Sequence, residues 1–148
     1  MNNQEVKVQF NLTKDEDDWP PFTTEFVWAT PLSDVLFRLN NVPFFATEVS
    51  MGDEVIVSLK DGNYWFLNVA TKSTNSTVHV FCFDDLKRLE LQNWAQHHDC
   101  VWEYAYKKQY IALSIPCTVE KSIWLEKLQS LESFDENGFE FEVTSFRH

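Results

Sequence analysis

The sequence has few of the residues and spacings on which catalytic and metal sites usually depend. It holds three glycines in 148 residues, too far apart to form a glycine-rich phosphate-binding loop. It also lacks a GxSxG nucleophile elbow and the HxxxH, CxxC and HExxH spacings. The three cysteines, Cys82, Cys100 and Cys117, are odd in number and widely spaced, which favours reduced thiols over a disulfide framework. We therefore expect no cofactor, no metal ion and no enzyme activity of a recognisable type.

Long apolar runs are also missing. No run approaches the roughly 20 residues that a membrane-spanning helix needs. The first ten residues, MNNQEVKVQF, lack the basic start and apolar centre of a signal peptide. The sequence therefore predicts a soluble, cytoplasmic protein without a membrane partner.

Positive charge is scarce. The net charge is −11, with eleven carboxylates against four Lys and Arg in residues 1–70 and twelve against eight in residues 71–148. Such a field repels phosphate backbones, which argues against nucleic acid as a ligand. It favours a basic protein partner, although an acidic surface can also serve only to keep a protein in solution. The oligomeric state stays open.

The first half of the chain has the pattern of β-strands. Apolar and polar residues alternate, or short apolar runs occur, at 6–12, 25–29, 35–39, 43–46, 53–59 and 64–70. Asp61-Gly62, between the last two runs, is a strong signal for a tight hairpin. Five or six short strands predict a small antiparallel β-barrel or sheet as an N-terminal lobe over residues 1–74.

The second half alternates strands with helices. A strand over 77–83 precedes Asp84 and Asp85, which can cap a helix. Strands at 100–106 and 110–116, a second helix capped by Thr118, and a strand at 139–143 follow. This order predicts a ferredoxin-like βαββαβ lobe over 75–148, hence an α+β protein of two lobes or one compact unit. The apolar faces predicted for the two helices are Leu86, Leu89, Trp94 and Ala95, and Trp124, Leu128 and Leu131.

The pentapeptide QHHDC, residues 96–100, places two histidines, a carboxylate and a thiol side by side. His97 and His98 fall in the last turn predicted for the first helix, where neighbouring side chains point about 100° apart and do not converge on one ion. Histidines at a helix C-terminus also interact favourably with the helix dipole. Cys100 alternates with aromatic residues on the next strand, which favours a buried, unreactive thiol. We expect QHHDC to end a helix.

Aromatic residues are abundant in the acidic half. Rings can supply buried anchors in an interface while carboxylates steer the approach of a basic partner, but strand-borne rings usually fill a core. If the half binds a partner, the sequence predicts the contact residues Asp15, Glu16, Asp17, Asp18, Trp19, Asp53 and Glu54.

Several segments resemble a bacterial family known as domain of unknown function 4265. They are DDWPP at 17–21, EFVWATPL at 25–32, FRLNNVPFFATEVSMGDEV at 37–55, NSTVHV at 75–80, DCVWE at 99–103 and ENGFEFE at 136–142. The resemblance extends over almost the whole chain. It implies a glycine within residues 73–76, where this chain has serine, threonine and asparagine residues. It also implies an arginine at position 79, where this chain has His79. The resemblance implies no reaction.

Two functions remain. The first is a non-catalytic binding protein, most concretely an immunity protein that inhibits a basic, nuclease-type bacterial toxin. The second is an enzyme or small-molecule-binding regulator with a pocket between the two lobes, lined by Trp65, His79, His97 and Cys100.

Overall fold

The structure is a computed structural model and describes residues 4–148. Residues 1–3, part of the segment from which the absence of a signal peptide was predicted, lie outside the described residues. The chain divides into two compact units, Met1–Ser73 and Thr74–His148. The α+β fold class is confirmed by nine strands and two helices in the described part of the chain. Neither of these helices is long and apolar enough to cross a membrane.

The N-terminal unit is a closed barrel of five strands, which in chain order are β1 Val6–Asn11, β2 Thr24–Pro31, β3 Leu36–Leu39, β4 Glu54–Lys60 and β5 Asn63–Thr71. The order around the barrel is β1-β2-β3-β4-β5. Sequential strands pair antiparallel, but β1 and β5 close the barrel in parallel. The parallel pair follows from the strand number, because the first and fifth strands of an up-and-down order point the same way.

Local sequence accounts for much of this barrel. Inward positions alternate along β1, at Val8 and Phe10, and along β4, at Val55 and Val57, and all four residues are buried. The hairpin predicted at Asp61-Gly62 is confirmed, with φ of 53° and 81° at its two central residues. The strand expected at 43–46 is absent, and this segment is a loop.

The elements of the C-terminal unit are β6 Ser76–Cys82, α1 Asp85–His97, β7 Val101–Ala105, β8 Tyr110–Ile115, α2 Lys121–Leu131 and β9 Phe139–Ser145. The four strands form an antiparallel sheet in the order β7-β8-β6-β9. Side chains of both helices and one face of the sheet share a single buried cluster that includes Val78, Leu91, Leu113, Trp124 and Leu128.

Helix α1 begins as predicted but turns a different face to the core. Asp84 is the N-cap, and its Oδ1 accepts hydrogen bonds from the N–H groups of residues 86 and 87. The predicted apolar face is wrong at two positions, because Leu86 and Leu89 are exposed while Leu91 and Ala95 are buried. Leu89 precedes Leu91 by two residues, about 200° around the helix, so both cannot face the core.

In helix α2 the core face was predicted correctly, but the N-cap was not. Its predicted core face is confirmed, since Trp124, Leu128 and Leu131 are all buried. The predicted cap is wrong: the N-cap residue is Glu120 rather than Thr118, and it makes no side-chain capping hydrogen bond.

Candidate functional site

The two histidines of QHHDC bond to the C-terminal turns of α1. The Nδ1 atoms of His97 and His98 each lie 2.9 Å from the carbonyl oxygen four residues earlier, that of Asn93 and of Trp94. A carbonyl only accepts, so both Nδ1 atoms carry a proton and donate it. His98 also stacks on the ring of Trp94 at 4.5 Å. Within residues 4–148 no group of three or more His, Cys, Asp or Glu side chains could hold a metal ion.

The predicted pocket residues of the C-terminal unit do not converge. Val78 and Val80 belong to the core beneath the helices, so His79, between them on β6, lies on the opposite face of the sheet. Cys100 is buried in the helix-side core, whereas His97 is exposed. Trp65 lies on β5 of the other unit. His79 and Cys100 are therefore separated by the sheet and cannot line one pocket together.

Burial makes Cys100 a poor nucleophile. Desolvation, with a smaller contribution from the neighbouring Asp99 charge, raises the pKa of the Cys100 thiol to about 12. Burial also raises the pKa of Cys82. Cys117 is exposed. Near neutral pH the two buried sulfurs are therefore protonated thiols.

Iodoacetamide should alkylate Cys117 in the native protein at neutral pH and leave Cys82 and Cys100 unmodified, because only thiolates react and only Cys117 is accessible. All three should react in denaturant, where thiol pKa values return to about 8.5. Peptide mass spectrometry measures each site, and Cys117→Ser should remove the native signal. Rapid alkylation of Cys100 in the folded protein would contradict this assignment.

A tight acidic loop precedes β2. The Asp15 Oδ1 accepts hydrogen bonds from the N–H groups of Asp17 (2.8 Å) and Trp19 (3.0 Å). Two backbone bonds close the same loop, from the N–H of Asp15 to the oxygen of Trp19 and from the N–H of Asp18 to the oxygen of Asp15. Asp15 therefore organises the loop, and Glu16, Asp17 and Asp18 are exposed around it. We call Asp15–Asp18 the acidic loop.

An aromatic cluster lies beside this loop. The ring of Phe45 is 5.5 Å from that of Trp19 and 5.7 Å from that of Phe22, and Phe44 packs against Phe45 at 6.3 Å. Trp19, the predicted anchor, is partly buried, while Phe22 is 49% exposed. Phe22 is thus the more accessible ring, and it was not predicted.

Glu25 holds the loop that supplies Phe44 and Phe45. Its two carboxylate oxygens accept hydrogen bonds from the N–H groups of Phe44 (3.0 Å), Phe45 (3.0 Å) and Ala46 (2.6 Å). This carboxylate explains why the predicted strand at 43–46 is a loop, since these N–H groups bond to a side chain instead of a ladder. The sequence pattern did not predict the contact between Glu25 and this loop, because the bonded residues lie about 20 positions apart.

The structure corrects the predicted contact set at Asp53, whereas Glu54 keeps part of its side chain at the surface. Asp53 is 0% exposed, and its oxygens accept hydrogen bonds from the N–H groups of Ser50 (3.0 Å) and Ser73 (2.8 Å). It cannot steer a partner from the surface and serves to hold the turn before β4. Glu54 is partly buried on β4, opposite Arg38 of β3.

Residues 25–134 match the family model described as Domain of unknown function (DUF4265). The chain belongs to this family. This match covers less of the chain than the segments that resemble the family in the sequence. The acidic loop of this DUF4265 member precedes residue 25 and lies outside the match. The chain is also similar to a solved structure titled as a hypothetical protein from Neisseria gonorrhoeae, with a TM-score of 0.80, 16% identity and coverage of 100% of this chain and 99% of that one. That likeness shows the fold alone. No curated protein matches the chain.

Proposed function

We propose that this DUF4265 member is a non-catalytic, acidic binding protein of the cytoplasm, most concretely an immunity protein that inhibits a basic, nuclease-type toxin. Its proposed scaffold is a barrel lobe followed by a ferredoxin-like lobe. The observation that carries the proposal is the acidic loop, whose carboxylates Glu16, Asp17 and Asp18 are exposed beside the half-exposed ring of Phe22.

The geometry of the loop suits a partner-binding role. Asp15 bonds to the backbone on the inner side of the loop, so the exposed carboxylates are held with little loop entropy left to lose on binding. Exposed like charges on one rigid loop attract a basic surface and accelerate encounter. Phe22 and the rings beneath it can supply the desolvated contact that slows dissociation.

The second candidate, a small-molecule-binding regulator, is supported by a groove in the N-terminal unit. The groove has a volume of about 410 Å³ and is lined by Trp65 with polar side chains that include Asn11, Asp61 and Asn63. An aromatic face among amides and a carboxylate suits a small polar ligand. Binding there would not depend on the acidic loop.

Neutralising the loop in the triple variant Glu16→Gln, Asp17→Asn, Asp18→Asn should slow association with the cognate toxin by about tenfold at low salt and by less at high salt. The partner is identified by expressing each neighbouring gene product with and without this protein in a growth assay. Surface plasmon resonance then measures the two rates. The control triple Asp34→Asn, Glu120→Gln, Glu126→Gln removes three exposed carboxylates elsewhere and should change association less.

The apolar part of the site is tested separately. Phe22→Ala should speed dissociation by about tenfold or more, because a buried anchor contributes on the order of 2 kcal/mol. Phe26→Ala removes a ring of similar exposure outside the aromatic cluster and should leave dissociation unchanged. The proposal fails if no neighbouring product is toxic, or if protection and both rates survive the triple variant and Phe22→Ala together.

A further inference from the structure

The groove of about 410 Å³ in the N-terminal unit lies on the outer face of the β4–β5 hairpin, around Trp65. Phe66, the next residue of β5, stacks on the core ring of Phe10 at 4.7 Å, so the side chain of Trp65 points outward. Ser58, which follows the buried Val57 on β4, is the ladder partner of Trp65 and shares its outer face. Trp65 is partly buried, and within residues 4–148 its side chain has no ring contact and no hydrogen bond.

Polar side chains line the groove beside this indole ring. Three are neutral and can both donate and accept hydrogen bonds, one is a cation that only donates, and one is an anion that only accepts. They are Asn11, Ser58 and Asn63, then Lys60, then Asp61. None of these side chains forms a hydrogen bond or an ion pair with another described residue. Their hydrogen-bonding groups are therefore open to a ligand.

The hairpin turn fixes one end of the groove. Lys60 and Asn63 are ladder partners on either side of the two-residue turn Asp61-Gly62. The φ angles of 53° and 81° at these two residues are those of a tight turn that matches the twist of its strands. The backbone that carries Lys60, Asp61 and Asn63 is therefore set before a ligand arrives, which lowers the entropy lost on binding.

The charges in the groove distinguish among ligand classes. Lys60 and Asp61 cancel, although the whole chain has a net charge of −11. An anion such as phosphate requires several donors, and the Asp61 carboxylate would repel it. A metal cation requires several oxygen ligands, and the Lys60 ammonium group would repel it. A neutral ligand with several hydroxyl groups fits this mixed set, because each hydroxyl both donates and accepts.

We propose that this groove binds a neutral pyranose sugar. A pyranose ring has a face of C–H groups, which packs on the π-face of Trp65, and a rim of hydroxyl groups, which meets the polar side chains beside that ring. The inference rests on the second candidate function, the small-molecule-binding regulator, and names its ligand class. It does not depend on the acidic loop or on a toxin.

The test titrates the isotope-labelled full chain with the methyl pyranosides of glucose, galactose, mannose and N-acetylglucosamine in heteronuclear NMR. The chain has six tryptophans, and the variant Trp65→Phe identifies the indole N–H signal of Trp65 by its loss. At least one sugar should shift that signal saturably, with a Kd of about 1–10 mM, and leave the other indole signals in place. Measured on backbone signals, Trp65→Ala should weaken binding by about tenfold or more, and Asn63→Ala by about threefold or more.

The matched control Trp28→Ala removes an exposed indole ring of the same unit that does not line the groove, and it should bind the sugar like the wild type. Cyclohexanol, which has a single hydroxyl group, should bind far more weakly than the sugar. The inference is overturned if no sugar gives a saturable shift up to about 50 mM, or if Trp65→Ala and Trp28→Ala bind equally well.

Adenosine, a neutral ligand that stacks through its base, separates failure of the inference from failure of the function on which it rests. Binding of adenosine at the Trp65 signal without binding of any sugar would overturn the sugar assignment and keep the groove as a small-molecule site. If neither adenosine nor any sugar bound, the inference and the second candidate function would both fail.

Discussion

Replacing Trp124 with alanine is expected to lower the free energy of unfolding by about 3–5 kcal/mol, the usual cost of removing a fully buried large ring. Trp124 is 0% exposed and belongs to the cluster that joins both helices to the sheet. Its ring also packs near Phe146 and His148, at 6.4 and 6.3 Å. Neither the helix nor the sheet can collapse into such a cavity without breaking contacts on its other side, so the lost volume stays largely unfilled.

The matched variant Trp124→Phe should cost much less, about 1–2 kcal/mol, because the Trp124 Nε1 has no hydrogen-bond partner in the described residues. Phenylalanine therefore loses ring volume but no hydrogen bond. Urea denaturation followed by circular dichroism measures both variants without depending on tryptophan fluorescence. A cost for Trp124→Phe equal to that of Trp124→Ala would mean that the indole N–H has a partner, such as a bound water.

Asp53→Ala should destabilise the protein by about 2–4 kcal/mol, since it removes the carboxylate acceptor from one buried and one partly buried N–H group. These are the backbone N–H groups of Ser50 and Ser73, which now donate to the two carboxylate oxygens of Asp53. Asp53→Asn should also lower the free energy of unfolding, by about 2 kcal/mol. The asparagine amide has only one accepting oxygen, and its own N–H groups would face the second of the two backbone N–H donors. The same denaturation measurement checks both variants.

The control is Asp34→Asn, which changes an exposed carboxylate of the same unit and should alter stability by no more than about 0.5 kcal/mol. If Asp53→Asn were as mild as Asp34→Asn, Asp53 would not be the acceptor for these two N–H groups, and it would return to the set of surface contact residues.

Much of the fold could be predicted from local pattern. Alternation along β1 and β4, the Asp61-Gly62 hairpin, the Asp84 cap and the core face of α2 depend on neighbours within a few residues of one another. The candidate site was harder to predict. The acidic loop could be seen in the sequence, but the burial of Asp53 and the exposure of Phe22 depend on residues far away in the chain.

The sequence by itself determined the α+β class, the order of strands and helices in the second half, the family and the excess of negative charge, because each rests on composition, short-range periodicity or local motifs. Only the tertiary structure decided which carboxylates bind the chain's own backbone and which face water. It also decided that Leu86 and Leu89 lie outside the core. A side chain has the same chemistry whether it is buried or exposed. Long-range packing alone determines whether it contacts a backbone N–H group inside the protein or lies at the solvent-exposed surface.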